Sequence, residues 1–175
     1  ANVNGLSNSK AKSLKNYSAV SDDVLCVSET NIADDAAAVL RNKLGDLSSL
    51  ASIKSLDKIQ FDKFGNRVRA NRGRKKSGFG VGIISKVPGS KIAFRSEEFE
   101  IIAAEIPIGP HLVLVLSVYR SPSDKSSKYV AGFYDEASKA IDVASAGDLN
   151  KYAAVVYVGD DNNDPIFQAK TQSKL

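Results

Sequence analysis

Methionine is absent from this chain of 175 residues, and cysteine and histidine occur once each, as Cys26 and His111. A chain that starts at Ala1 without methionine has lost its initiator or is a piece of something longer. Asn2-Val3-Asn4-Gly5-Leu6 accordingly reads as the tail of a strand whose beginning is missing. One cysteine excludes an internal disulfide framework, and no zinc-ligand spacing is present, so an intracellular setting is the default. No apolar stretch approaches the ~18 residues of a membrane span, and no signal peptide is visible. What remains is ordinary globular material, 43% hydrophobic and 25% charged. The length suits one domain, residues 1–175, with its own core. A net charge of +4 leans only weakly toward polyanions, so the placement of charge matters more than its sum.

The chain is organised around Asp22-Asp23-Val24-Leu25-Cys26-Val27-Ser28-Glu29-Thr30. Val24 to Val27 is an unbroken apolar run, the pattern of a buried strand, with Cys26 as an inert core thiol. A carboxylate follows where the run stops. In layered α/β proteins a buried strand fixes the backbone while its last side chain reaches solvent, so Glu29 is the first candidate for chemistry.

Upstream, Leu14, Tyr17 and Val20 recur at helical spacing in a polar segment from Ser7. Downstream, Asp34 or Asp35 caps a helix through Ala36, Val39, Leu40 and Leu44 that stops at Gly45. Leu47, Leu50, Ile53 and Leu56 continue at a spacing near three, which predicts a second short helix. Phe64-Gly65-Asn66 reads as a turn between short extended pieces. The dense basic run is Arg67, Arg69, Arg72, Arg74, Lys75 and Lys76, a loop that would hold phosphates by charge alone. Gly78, Gly80 and Gly82 alternate but match no phosphate-loop spacing. On a strand they leave one face bare for close packing.

Lys91–Arg95, Phe99–Ile106 and Leu112–Tyr119 read as successive antiparallel strands, with Ile106-Pro107-Ile108-Gly109-Pro110 joining the last two. Leu112 to Leu116 is apolar on both faces and therefore central. Ser123 or Asp124 then caps a helix carrying Val130, Phe133, Ala137, Ile141 and Ala144, ending near Gly147. Ala153 to Val158 reads as another buried strand and closes in Gly159-Asp160-Asp161-Asn162. Four strand ends thus present Asn2 with Asn4, Glu29, Tyr119 with Arg120, and Asp160 with Asn162. Carboxylate and amide oxygens suit Mg²⁺, which takes one or two carboxylates from protein.

In this order, Asn2 to Leu6, Asp23 to Thr30, Tyr119-Arg120-Ser121-Pro122-Ser123 and Gly159 to Asn162 resemble the motifs of the endonuclease/exonuclease/phosphatase superfamily. The Tyr-Arg-Ser-Pro-Ser segment and the basic run resemble the endonuclease domains of non-LTR retrotransposons, relatives of the abasic-site endonucleases. The resemblance implies a four-layered α/β sandwich, two packed mixed sheets flanked by helices. It also implies Mg²⁺ or Mn²⁺ held by Glu29 and Asn2, with Tyr119 on the scissile phosphate. Asp160 would orient or deprotonate the attacking water, and Asn162 would bind phosphate. The reaction implied is metal-dependent hydrolysis of a nucleic-acid phosphodiester, DNA before RNA, with Arg120 and the basic run as nucleic-acid contacts.

Three features depart from that pattern. Asp161 stands where the superfamily carries an aromatic or aliphatic residue. The superfamily also continues to a late Asp and a closing Asp-His pair, whereas this sequence stops at Leu175, so the second sheet is expected to be truncated. His111 cannot substitute, because it opens the strand that Tyr119 ends, ~26 Å away at ~3.3 Å per residue. Losing a base costs on the order of 10²–10⁴ in rate. Three expectations follow: a nuclease incomplete as this chain alone, a degenerate nuclease fold serving as a structural or protein-binding module in a larger particle, or non-catalytic nucleic-acid binding through residues 67–76. A further candidate partner is another segment or chain that completes the second sheet, and the setting expected is nuclear or cytoplasmic, without a membrane.

Overall fold

The computed structural model describes residues 7–20, 24–30, 50–54, 60–61, 67–68, 80–120 and 127–160. Helix α1 (Asn8–Val20) begins at Ser7, whose hydroxyl accepts the Lys10 N–H at 3.3 Å, an N-cap that satisfies a first-turn donor. The helix expected over 34–45 and the N-terminal strand tail lie outside the described residues.

Strands β1 (Val24–Ser28), β2 (Leu50–Lys54) and β5 (Val81–Ser85) form one sheet in the order β1-β5-β2, each pair antiparallel. The short helix expected around Leu50 and Ile53 is therefore a strand. Leu50-Ala51-Ser52-Ile53-Lys54 pairs residue for residue with Ser85 to Val81, and a long-range ladder outweighs a three-residue spacing read over so short a window. Gly82 sits inside β5 and pairs with both Val27 and Ile53. Short strands β3 (Gln60–Phe61) and β4 (Arg67–Val68) form an antiparallel pair, so Arg67 opens a strand; residues 69–76 of the basic run lie outside the described residues.

The second sheet runs β6-β7-β8-β9, from β6 (Lys91–Arg95), β7 (Glu100–Ile108), β8 (His111–Tyr119) and β9 (Ala154–Asp160). The first three form an antiparallel meander, as their sequence predicts. The β7–β8 connection is shorter than expected. Ile108 pairs with His111, and Gly109 makes the turn at φ +58°, a left-handed conformation that favours glycine. The long crossover through helix α2 (Ser127–Ser145) brings β9 back parallel to β8.

Side-chain alternation assigns the two faces of this sheet. Ile101, Ala103, Leu114, Leu116 and Val118 pack against Phe133, Ala137, Ala140 and Ala144 of α2. Ile102, Ala104, Ile106 and Val115 face Cys26, Val81 and Ile83 of the first sheet. The Ser117 hydroxyl crosses this interface to the Gly82 carbonyl at 3.1 Å. The molecule is thus an α/β sandwich of two stacked sheets with α2 on the outside of the second.

β9 corrects one expectation. It is not a buried strand but the edge of its sheet among the described residues, with Val155, Val156 and Tyr157 exposed at 42%, 40% and 44%. An apolar run reports that a strand prefers cover, whereas its burial is decided by what packs beside it. No helix among the described residues is long and apolar enough to cross a membrane.

Candidate active site

The sheets place three strand ends at one rim. Ser28 pairs with Val81, and the next backbone bond runs from the Thr30 N–H to the Gly80 carbonyl at 3.3 Å. Two residues of one strand, Glu29 and Thr30, therefore stand opposite one of the other, which is the arrangement of a β-bulge. Such bulges re-aim side chains beside functional sites. Glu29 adopts φ +55°, the left-handed region, at a cost of roughly 1–2 kcal/mol for a residue with a Cβ. Replacing Glu29 with glycine is expected to raise stability by about 0.5–1 kcal/mol in urea denaturation relative to Glu29→Ala. A glycine variant less stable than the alanine variant would show that backbone conformation is not what position 29 is straining against.

Tyr119 ends β8 on the face toward the first sheet, with Glu100 opposite it on β7 and Asp160 opposite it on β9. Its phenol donates to Glu29 Oε1 at 3.5 Å, the outer limit of a hydrogen bond. The Arg120 N–H donates to the Asp160 carbonyl at 2.9 Å and holds the β8 and β9 ends together. Burial first, and then the charges of Glu29, Glu100 and Asp160, push the Tyr119 phenol far above its usual range. It is therefore a neutral donor across the physiological range, surrounded by carboxylates. Just inside the rim, Cys26, Val27, Ser28, Ser117, Val158, Gly159 and Asp160 line a cavity of about 140 Å³. Burial pushes the Cys26 thiol up, against a smaller opposing effect of its hydrogen bond with Ser117, and so disfavours the thiolate.

Of the residues singled out in the sequence, Glu29, Tyr119 and Asp160 come together here. Asn2 and Asn162 lie outside the described residues, as do Arg69, Arg72, Arg74, Lys75 and Lys76. Arg67 is described only as part of β4. Arg120 is 4% exposed, so its guanidinium is part of the interior and not of an open surface. Glu100 was missed. It is a buried carboxylate at the first position of β7, and its only sequence signal is a charge heading an apolar run.

Among the described residues no group of three or more His, Cys, Asp or Glu side chains is placed to hold a metal ion. The donor set at the rim nevertheless suits a hard divalent cation, because Mg²⁺ is bound through one or two carboxylates and keeps much of its water.

No protein-family model matches this chain. No curated protein matches it in sequence. Its fold does match solved structures. A humanized Danio rerio TDP2 carrying 14 mutations matches at 14% identity and a TM-score of 0.51, over 92% of this chain and 62% of that one. Caenorhabditis elegans TDP2 matches at 17% identity and a TM-score of 0.44, over 94% of this chain and 46% of that one. An endonuclease/exonuclease/phosphatase family protein from Leptotrichia buccalis matches at 14% identity and a TM-score of 0.44, over 93% of this chain and 63% of that one. This chain thus spans less than two thirds of each structure. The class that the first match defines is that of the fold: the stacked-sheet α/β sandwich of TDP2.

Proposed function

We propose that this chain carries the phosphoester-binding part of a metal-dependent phosphodiesterase of the endonuclease/exonuclease/phosphatase type, acting on nucleic acid. Its motifs are most similar to the retrotransposon endonuclease branch. The observation that carries the reading is the meeting of Glu29 and Tyr119, 90 residues apart in sequence, at 3.5 Å beside the strand end that bears Asp160.

Each residue has a task that suits its chemistry. Glu29, with Asn2, would hold Mg²⁺ or Mn²⁺, and such a cation would supply charge stabilisation for phosphoester hydrolysis. Tyr119, kept protonated by its surroundings, gives its proton as a hydrogen bond to a phosphate oxygen once the Glu29 carboxylate has another partner. Asp160 accepts a hydrogen bond from the attacking water and orients it, while Asn162 donates to the phosphate. Arg67, Arg69, Arg72, Arg74, Lys75 and Lys76 hold the nucleic-acid backbone by charge. Turnover by this chain is slow, because its single histidine opens β8 at the end opposite Tyr119.

Nicking of supercoiled DNA in Mg²⁺ tests the reading. The chain is expected to nick slowly and Glu29→Ala to lose at least tenfold of that rate; equal rates would remove the catalytic assignment. The second reading, a nuclease fold used as a binding module, is favoured by the exposed apolar side chains of β9 and gains from that same negative result.

A further inference from the structure

The two outer strands of the second sheet are built differently. β6 is guarded: Lys91 and Arg95 are exposed at its two ends, and its ladder to β7 shifts register between Ile92 and Phe94. Charges and bulges of this kind keep an edge strand from recruiting another strand. β9 has neither along Ala154-Val155-Val156-Tyr157-Val158, a run without charge or proline in unbroken register with β8. Among the described residues no strand lies on its other side. Val155 and Tyr157 are exposed on the face toward α2, and Val156 is exposed on the face toward the first sheet. The strand thus shows apolar side chains on both faces.

We propose that β9 is a self-association edge, pairing antiparallel with β9 of a second copy of this chain about a two-fold axis through Val156. In that register the strand is complementary to itself. Val156 meets Val156 of the second copy, Val155 meets its Tyr157, and Ala154 meets its Val158. Each apolar side chain then has an apolar neighbour, and such cross-strand pairs are the unit of sheet stabilisation. The strand ends are complementary in charge, because Asp160 of one copy comes beside the turn of the other that carries Lys151. A two-fold contact uses one patch twice and closes after two chains, so the two four-stranded sheets become one continuous sheet and growth stops there. Main-chain bonds along one strand with a few apolar pairs make a small interface, below the ~1,200 Å² of stable complexes, so the dimer is concentration-dependent.

The test is sedimentation equilibrium of the full chain from micromolar to submillimolar concentration. The unaltered chain is expected to rise toward twice the mass of one chain and level there. Val156→Lys and Val156→Glu, each alone, are expected to stay at the mass of one chain, because like charges meet at the axis. Their equimolar mixture is expected to regain the doubled mass, since lysine then faces glutamate; substitutions that merely unfolded the strand would give no such recovery. Val143→Lys, at an α2 side chain exposed at 54%, is expected to associate as the unaltered chain does. Hydrogen exchange needs no variant: the β9 amides that face the open edge are expected to slow about tenfold across the concentration range. A single-chain mass throughout, or exchange independent of concentration, overturns the proposal, whether another part of the polypeptide covers β9 or nothing does. Masses that climb past two chains without levelling overturn the closed two-fold contact. A mixture that fails to associate overturns the axis at Val156 and the proposal with it, and equal loss in Val143→Lys overturns β9 as the surface.

Discussion

Gly159→Ala should lower stability by about 3 kcal/mol or more, although position 159 faces solvent. A methyl group there would overlap the carbonyl oxygen of Val118, and it would lie 2.7 Å from Val118 Cγ2 and 2.8 Å from its carbonyl carbon. Two of these three neighbours are backbone atoms of β8, so no rotamer change makes room. The parallel β8–β9 ladder has to part where Val118 meets Gly159, one step before Tyr119 meets Asp160. In a chain of this size the loss corresponds to a drop of roughly 6–12 °C in melting temperature. The Asp160 carbonyl would also leave the Arg120 N–H. Val155→Ala, on the same strand, is the control and should change little. A Gly159→Ala chain that melts within a degree or two of the unaltered one would mean that the strands accommodate a side chain after all.

The second large effect is a response to acid, and it arises away from the rim. Glu105 is buried at the α2 side of β7. It accepts from Lys151 Nζ at 2.5 Å and from the Tyr152 hydroxyl at 2.7 Å, and it pairs with Lys91 at 2.9 Å. Burial by itself raises the carboxyl, but the bonds from Lys151, Tyr152 and Lys91 outweigh it and bring the pKa down to about 2. A carboxylate whose folded value lies below its unfolded value stabilises the fold above the unfolded pKa. That contribution is lost as pH falls from about 4.5 toward 2. Its size is on the order of 3 kcal/mol. Urea titrations between pH 6 and 3 should therefore show a steep fall that Glu105→Gln flattens, at some cost in stability near neutrality. The same slope in both chains would assign the acid response to other carboxylates. Lys91 and Lys151 reach water, so the substitution should cost less than breaking a fully buried pair, roughly 2 kcal/mol.

What could be read from the sequence was whatever is written locally. β8 is apolar on both faces because it is flanked by β7 and β9 and covered by α2 and the first sheet, and Leu112 to Leu116 carries that fact in five consecutive side chains. Phe133, Ala137 and Ala144 likewise advertise the buried side of α2. β2 was hidden because its partner, β5, lies far along the chain and a five-residue strand leaves little pattern. The exposure of β9 depends on its neighbours, which no property of Val155 or Tyr157 encodes. At the rim, strand ends marked Glu29, Tyr119 and Asp160 as candidates. Glu100 was obscured by the apolar residues that follow it, and the sign of φ at Glu29 leaves no trace in residue type.

The ladder register also dictates an order of assembly. Among the described residues, Val24 pairs with Ser85, and Leu50 pairs with that same residue. β6, β7 and β8, by contrast, close on one another through short turns as they emerge. Long loops are entropically slow to close, so the meander is the natural nucleus, and β1 and β2 condense onto β5 afterwards. A chain cut before Ser85 therefore lacks the strand on which β1 and β2 both pair, and β1 and β2 are expected to stay apart until β5 is made.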